Sequence, residues 1–167
     1  MKDLLVMKFG GTSVGSAERM RATAQISREQ KQRRPVCIVV SAMSKVTDLL
    51  LDTMRHAEAG DRAGVDANIA KLRERHLETC RDLLPPERRA PVEESLEALI
   101  AEFERITGGM LLLNELPPRS VDEAVAIGER LSSLLIAELL KAEGTPAVAV
   151  NAAGVVVTDA VFGNASP

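Results

Sequence analysis

The chain has 167 residues, 46% of them hydrophobic and 27% charged, with a net charge of −3; this is an ordinary soluble composition, long enough for one domain with its own core. The acidic balance excludes a dedicated nucleic-acid surface, and an aromatic fraction of 2% without Trp or Tyr excludes base-stacking platforms and leaves the core to Leu, Ile, Val, Met and Ala. The two cysteines, Cys37 and Cys80, show no metal-ligand spacing, and neither a signal-peptide pattern nor an apolar run of membrane length occurs, so a reducing cytoplasm is the expected setting.

The first run, LLVMKF, reads as a buried strand over residues 3–9, cut off by Gly10-Gly11. SAERMRATAQISREQKQRR reads as a helix with Ser16 as N-cap and Arg33 and Arg34 at the end where the helix dipole favours cations. Pro35 stops it. VCIVVSA is a second strand, apolar on both faces as in a parallel sheet covered by helices, with Cys37 expected to be a buried thiol. Strand, helix and strand make one βαβ unit.

The middle of the chain is helical. One segment ends at Gly60, a second runs to Pro85-Pro86, and a third is expected to close at Gly108-Gly109. After the Pro117-Pro118 break, SVDEAVAIGERLSSLLIAELLKAEG predicts a helix with Ser120 as cap, Glu123 at capping-box spacing and Gly144 as its stop. Two β-like runs are expected at 147–150 and 155–158. The order βαβ, helices, β points to an α/β sandwich.

Three polar clusters interrupt these elements. In KFGGTSVGS, a glycine pair between strand and helix exposes backbone N–H groups at the positive end of a helix dipole, and Lys8 adds a full charge. Such a site suits a phosphate or a moving phosphoryl group; a tight turn beside a solvated lysine is the competing explanation. The spacing is neither that of a Walker loop nor GxGxxG. In SAMSKVTDLL, Ser41, Ser44 and Thr47 supply hydroxyls at the same sheet edge, either for a ligand or as helix caps. In IGERLSS, Gly128 in mid-helix permits close approach, and Glu129 either pairs with an ammonium or is an ordinary surface glutamate.

Taken together and in order, KFGGTSV, VVSAMSKVTDLLL, ELPPRSVDEAVAIGERLSS and VVTDAVFGNASP resemble the aspartokinases of the amino-acid kinase superfamily. The resemblance implies a three-layer α/β/α sandwich with a mainly parallel sheet. It covers residues 1–167 as the N-terminal, aspartate-side lobe, with a helical insert at about 44–118. By the same resemblance, the second half of the kinase domain, with its GRGGSD-like loop, and the ACT regulatory domains are expected to be absent from these residues. The implied activity is ATP-dependent phosphorylation of the L-aspartate β-carboxylate, the first step toward lysine, threonine and methionine. By the same resemblance Lys8 is the catalytic lysine. Gly10, Gly11, Thr12 and Ser13 join it in binding the phosphates of ATP, and Ser41, Thr47 and Glu129 bind aspartate, Glu129 through its ammonium. ATP and Mg2+ are the implied cofactors, L-aspartate the partner substrate, and a homo-oligomer, a dimer, the implied assembly. A non-catalytic module that dimerises or complements a partner chain is the alternative.

Overall fold

Strands β1 (Leu5–Phe9) and β2 (Val36–Val40) pair in parallel, Leu5 opposite Val36 and Phe9 opposite Val40, in the computed structural model, which describes residues 3–166. Helix α1 (Ala17–Lys31) makes the crossover. Ser16 caps it as expected: its hydroxyl accepts the Arg19 N–H at 3.3 Å. The helix ends before Arg33 and Arg34, so Arg28 and Lys31 are the cations of its last turn.

Period-two alternation gives the sheet two unlike faces. Leu5, Met7 and Phe9 of β1 and Val36, Ile38 and Val40 of β2 are half-buried toward the helices. α1 packs on both strands and α5 on β2. The other face carries Val6 (59% exposed), Lys8, Cys37 and Val39 (46% exposed). The α/β class with a parallel sheet is as expected. Among the described residues, however, helices cover one face of that sheet. β2 is therefore apolar on both faces but buried on one, and Cys37 is exposed rather than a core thiol. Cys80 is the buried cysteine, its thiol pushed up to about 11 by burial.

The rest of the fold is helical: α2 (Val46–Glu58), α3 (Arg62–Leu83), α4 (Pro86–Leu113) and α5 (Pro118–Ala142). Their apolar stripes meet in one core that includes Leu50, Met54, Leu72, Leu96, Phe103 and Leu131. Asp61 caps α3, taking the Gly64 N–H at 3.0 Å. Two expected boundaries move. α4 continues through Gly108 and Gly109, and the chain turns at Asn114, whose φ of 53° supplies the left-handed residue. α5 begins at Pro118, where a proline at the first helical position loses no hydrogen bond. Ser120 therefore lies inside the helix and is not its cap, and Glu123 pairs with Arg119 at 3.1 Å instead of closing a capping box. Gly144 ends α5 as expected, at φ 79°.

The expected strands at 147–150 and 155–158 are not formed. The segment holds a 3-10 turn, Ala152–Gly154, in otherwise irregular chain. A strand needs a ladder partner, and among the described residues the sheet consists of β1 and β2. Beyond it, residues 159–166 fold on themselves. The Asp159 carboxylate accepts the N–H groups of Val161 (3.1 Å) and Ser166 (3.2 Å). This turn docks on the start of α5: Gly163 donates its N–H to Asp122 at 2.7 Å, and the Arg119 guanidinium lies 5.9 Å from the Phe162 ring centre. Two sequence segments about forty residues apart thus meet.

Candidate functional site

The glycine loop, residues 10–16, leaves the C-terminal end of β1 and leads into α1. Most of its carbonyls are taken up by the protein. Gly10 O accepts from Ser13 N at 2.9 Å, closing a tight turn, and Gly11 O accepts from Ser44 N at 3.1 Å. Ser13 O accepts the Thr23 hydroxyl at 2.9 Å, and Gly15 O accepts from Arg75 Nη2 at 3.3 Å. Just upstream, Phe9 O accepts from Ser41 N at 3.1 Å. The amides are treated oppositely. Among the described residues, the N–H groups of Gly10, Gly11, Thr12 and Ser16 have no protein acceptor. A loop whose acceptors are mostly bonded while most of its donors stay free has a positive polarity, which is the electrostatic requirement for holding an anion.

The two glycines have different reasons to be glycine. Neither needs a positive φ. A Cβ on Gly11 would lie 2.9 Å from Ala42 O, so a side chain there would collide with the 41–45 segment that Ser44 ties to the loop. A Cβ on Gly10 would meet Lys8 Nζ at 3.8 Å and nothing closer. Gly10 is thus the open position of the pair, and it marks where the Lys8 ammonium sits. Among the described residues, Lys8 has no ion-pair partner.

Of the other residues singled out, Thr12 is exposed and Ser13 half-buried in the turn. Ser41 and Thr47 are half-buried on either side of the 42–46 segment. Neither they nor Ser44 cap α2, which starts from Lys45 at φ 64° with no side-chain cap bond. The capping alternative for these hydroxyls therefore does not apply. Gly128 brings α5 onto the same segment: its hydrogen occupies a place where a Cβ would lie 2.7 Å from Ala42 Cβ. Glu129 follows it, half-buried and, among the described residues, without an ion-pair partner. Loop, 41–47 segment and α5 are thus tied or packed in sequence, Gly11 to Ser44 and Ala42 to Gly128. No hydrogen bond joins Glu129 to Lys8, Ser41 or Thr47.

Sequence reasoning passed over Lys45, a second lysine where the two loops join, and the clamping donors Thr23 and Arg75. The left-handed backbone at Lys45 has no signal in its residue type. The clamps lie 10 and 60 positions from the carbonyls they hold. A cleft of about 390 Å³ lies elsewhere, between α4, α5 and residues 149–151, and the Arg130–Glu102 ion pair (2.6 Å) lines it. It shares no residue with the glycine loop. No group of three His, Cys, Asp or Glu side chains gathers to hold a metal ion among the described residues. No described helix is long and apolar enough to cross a membrane.

The profile of the amino acid kinase family matches residues 3–164. Aspartokinase 3 of Arabidopsis thaliana, a chloroplastic protein, is 35% identical over 158 residues, which is 92% of this chain and 27% of that one. An aspartokinase of Chlamydia trachomatis is 35% identical over 163 residues, 98% of this chain and 34% of its own. Among solved structures, E. coli aspartokinase III in complex with lysine and aspartate superposes with a TM-score of 0.86 at 26% identity, over 98% of this chain and 35% of that chain. The same enzyme in complex with aspartate and ADP gives a TM-score of 0.83 over 99% of this chain and 35% of that one. The chain therefore spans about a third, or less, of the length of these relatives. With a profile match along nearly its whole length and a parallel βαβ unit that opens on a glycine loop, the chain belongs to the amino acid kinase family.

Proposed function

We propose that the chain is the aspartate-side lobe of an aspartate kinase, which transfers the γ-phosphoryl group of ATP to the β-carboxylate of L-aspartate. The observation that carries this is the polarity of the glycine loop: mostly bonded carbonyls, free amides at Gly10, Gly11 and Thr12, and the Lys8 ammonium over Gly10. The aspartate and ADP bound by the E. coli relative support the choice of substrates.

The chemistry suits such a site. A carboxylate near its ordinary pKa of about 3.9 is already ionised at neutral pH and needs no base. One carboxylate oxygen attacks the γ-phosphorus, the bond to the β-phosphate bridging oxygen breaks, and 4-phosphoaspartate and ADP leave. The obstacle is repulsion between anions. Lys8 and the amides of Gly10 and Gly11 relieve it, and positioning with charge neutralisation supplies most of the rate in phosphoryl transfer. Thr12 and Ser13 complete the loop around the phosphates. Ser41 and Thr47 seat the aspartate, and Glu129 takes its ammonium. Magnesium would arrive with ATP, held by the phosphates; the described residues gather no ligand set for it, and none is assigned here.

A second reading, a module that is inactive until it dimerises or joins a partner chain, is favoured by the open sheet face at Val6 and Val39. Coupled ADP release with aspartate, ATP and magnesium separates the two: turnover by the purified chain alone eliminates the module. In whichever preparation turns over, Lys8→Ala lowers kcat by about a hundredfold or more, the usual effect of losing a charge-stabilising donor. Wild-type rates in that variant would refute the role of Lys8. Glu129→Ala raises the KM for aspartate far more than for ATP, and equal effects on both would refute an ammonium contact.

A further inference from the structure

We propose that Arg75 and Thr23 are positioning residues for the glycine loop: they hold its carbonyls from behind, so that its amides stay available to a phosphoryl group, and thereby couple α3 of the helical insert to anion binding. This rests on the phosphoryl-transfer reading above.

A trans peptide unit fixes the reasoning, because the carbonyl of one residue and the N–H of the next point in opposite directions in one plane. Gripping a carbonyl therefore aims the following amide. Arg75 grips Gly15 O and so sets the Ser16 amide at the threshold of α1. Thr23 grips Ser13 O and so fixes the plane shared with Val14, which is fully buried and anchors the loop in the core. The peptide planes nearer Lys8 are held by backbone donors, Ser41 N on Phe9 O and Ser44 N on Gly11 O. Side chains take over where the backbone partners end.

Thr23 departs from what its neighbours do. The other buried helical threonines, Thr53, Thr79 and Thr107, donate to the carbonyl four positions back, as does Ser27. That is the ordinary local choice for such a hydroxyl. Thr23 instead spends its hydroxyl on the loop. Arg73, Arg81 and Arg130 pair with carboxylates, whereas Arg21 and Arg89, like Arg75, donate to backbone carbonyls. Arg75 is half-buried on α3 and, among the described residues, has no carboxylate partner; its hydrogen bond goes to Gly15 O. Arg21, which donates to Asp82 O, fastens α1 to α3 nearby and keeps Arg75 in reach.

The experiment uses the full chain with ADP as probe, titrated calorimetrically, and records the amide resonances of residues 10–16 without ligand. Arg75→Met and Thr23→Val remove the donors at nearly constant size; Arg75→Gln and Thr23→Ser restore one. Loss of a single such bond corresponds to about two- to tenfold in affinity. The expected result is that loss for the Met and Val variants, recovery in the Gln and Ser variants, displaced loop amides in the Met and Val variants only, and an unchanged affinity for aspartate. Equal weakening by Arg75→Gln and Arg75→Met would mean that the charge acts directly, and would overturn the positioning role. Loop amides that stay in place in Arg75→Met and Thr23→Val would overturn it as well, even where ADP binds. A wild-type chain that binds neither ADP nor inorganic phosphate would instead defeat the phosphoryl-transfer reading itself, and the coupling to anion binding with it.

Discussion

Gly128→Ala is a substitution for which local and tertiary physics give opposite signs. Propensity alone makes it stabilising by about 1 kcal/mol, since glycine in a helix interior is that much worse than alanine. In the folded chain the new methyl would lie 2.7 Å from Ala42 Cβ, 3.2 Å from Leu50 Cδ1 and 3.4 Å from Val46 Cγ1. The leucine can adjust its rotamer. The Ala42 methyl cannot; it moves only with a backbone pinned on both sides by Ser41 N to Phe9 O and Ser44 N to Gly11 O, each 3.1 Å. Overpacking of this kind costs about 1–3 kcal/mol. Set against the propensity gain, a net loss of about 1 kcal/mol is expected, a fall in Tm of about 2–4 °C for a chain of this size. Equilibrium urea unfolding measures it. Ala42→Gly removes the opposing methyl, so the double variant should be less destabilised than the sum of the singles by about 1 kcal/mol. A Gly128→Ala chain that melts higher than wild type, or two substitutions that simply add, would refute the contact as the reason for glycine at 128.

The glycine pair should separate in the same way. Gly11→Ala meets Ala42 O at 2.9 Å and should lower stability by about 1–3 kcal/mol, whereas Gly10→Ala meets only Lys8 Nζ at 3.8 Å and should leave Tm in place while weakening ADP. Thermal melts with and without ADP test this, and the reverse order would refute it. Burial pushes the His76 imidazole down to about 4 from an ordinary 6.5, against the hydrogen bond to the Leu72 carbonyl and helped by the Arg75 charge. Both states hold it neutral above pH 6.5. As pH falls from 6.5 toward 4, the unfolded chain alone takes up the proton, so stability should decline by about 3 kcal/mol across that window. His76→Gln should flatten that part of the stability curve; an unchanged slope would show that His76 is not its source. Lys8→Ala and Glu129→Ala, assayed as kcat and as KM for aspartate, complete the set.

Much of the fold was legible locally. A short apolar run ending in Gly-Gly, a serine before an amphipathic stretch and a proline after it specify strand, capped helix and stop through backbone chemistry alone. The positive φ of Gly144 followed from its place after a periodic helix. Local signals failed where they competed. Gly108 and Gly109 look like a stop, but Met110 is buried and holds the helix on the core past them. Ser120 looks like a cap, but Pro118 already starts the helix. The runs at 147–150 and 155–158 have strand composition, yet a strand is a relation to a neighbour, and none pairs with them among the described residues.

The sequence by itself determined which chemistry this protein carries: a lysine, a glycine pair and hydroxyls at the mouth of a βαβ unit, and a glutamate beside a mid-helix glycine. The tertiary structure decided how they are disposed. It made Gly11 and Gly128 steric necessities against Ala42, left one sheet face open around Lys8, and turned Thr23 and Arg75 toward the loop's carbonyls. The physical reason is range. Helix periodicity, caps and turns are set by residues within a few positions of one another, whereas the direction of an amide in this loop depends on a guanidinium 60 residues away, and no local pattern encodes that distance.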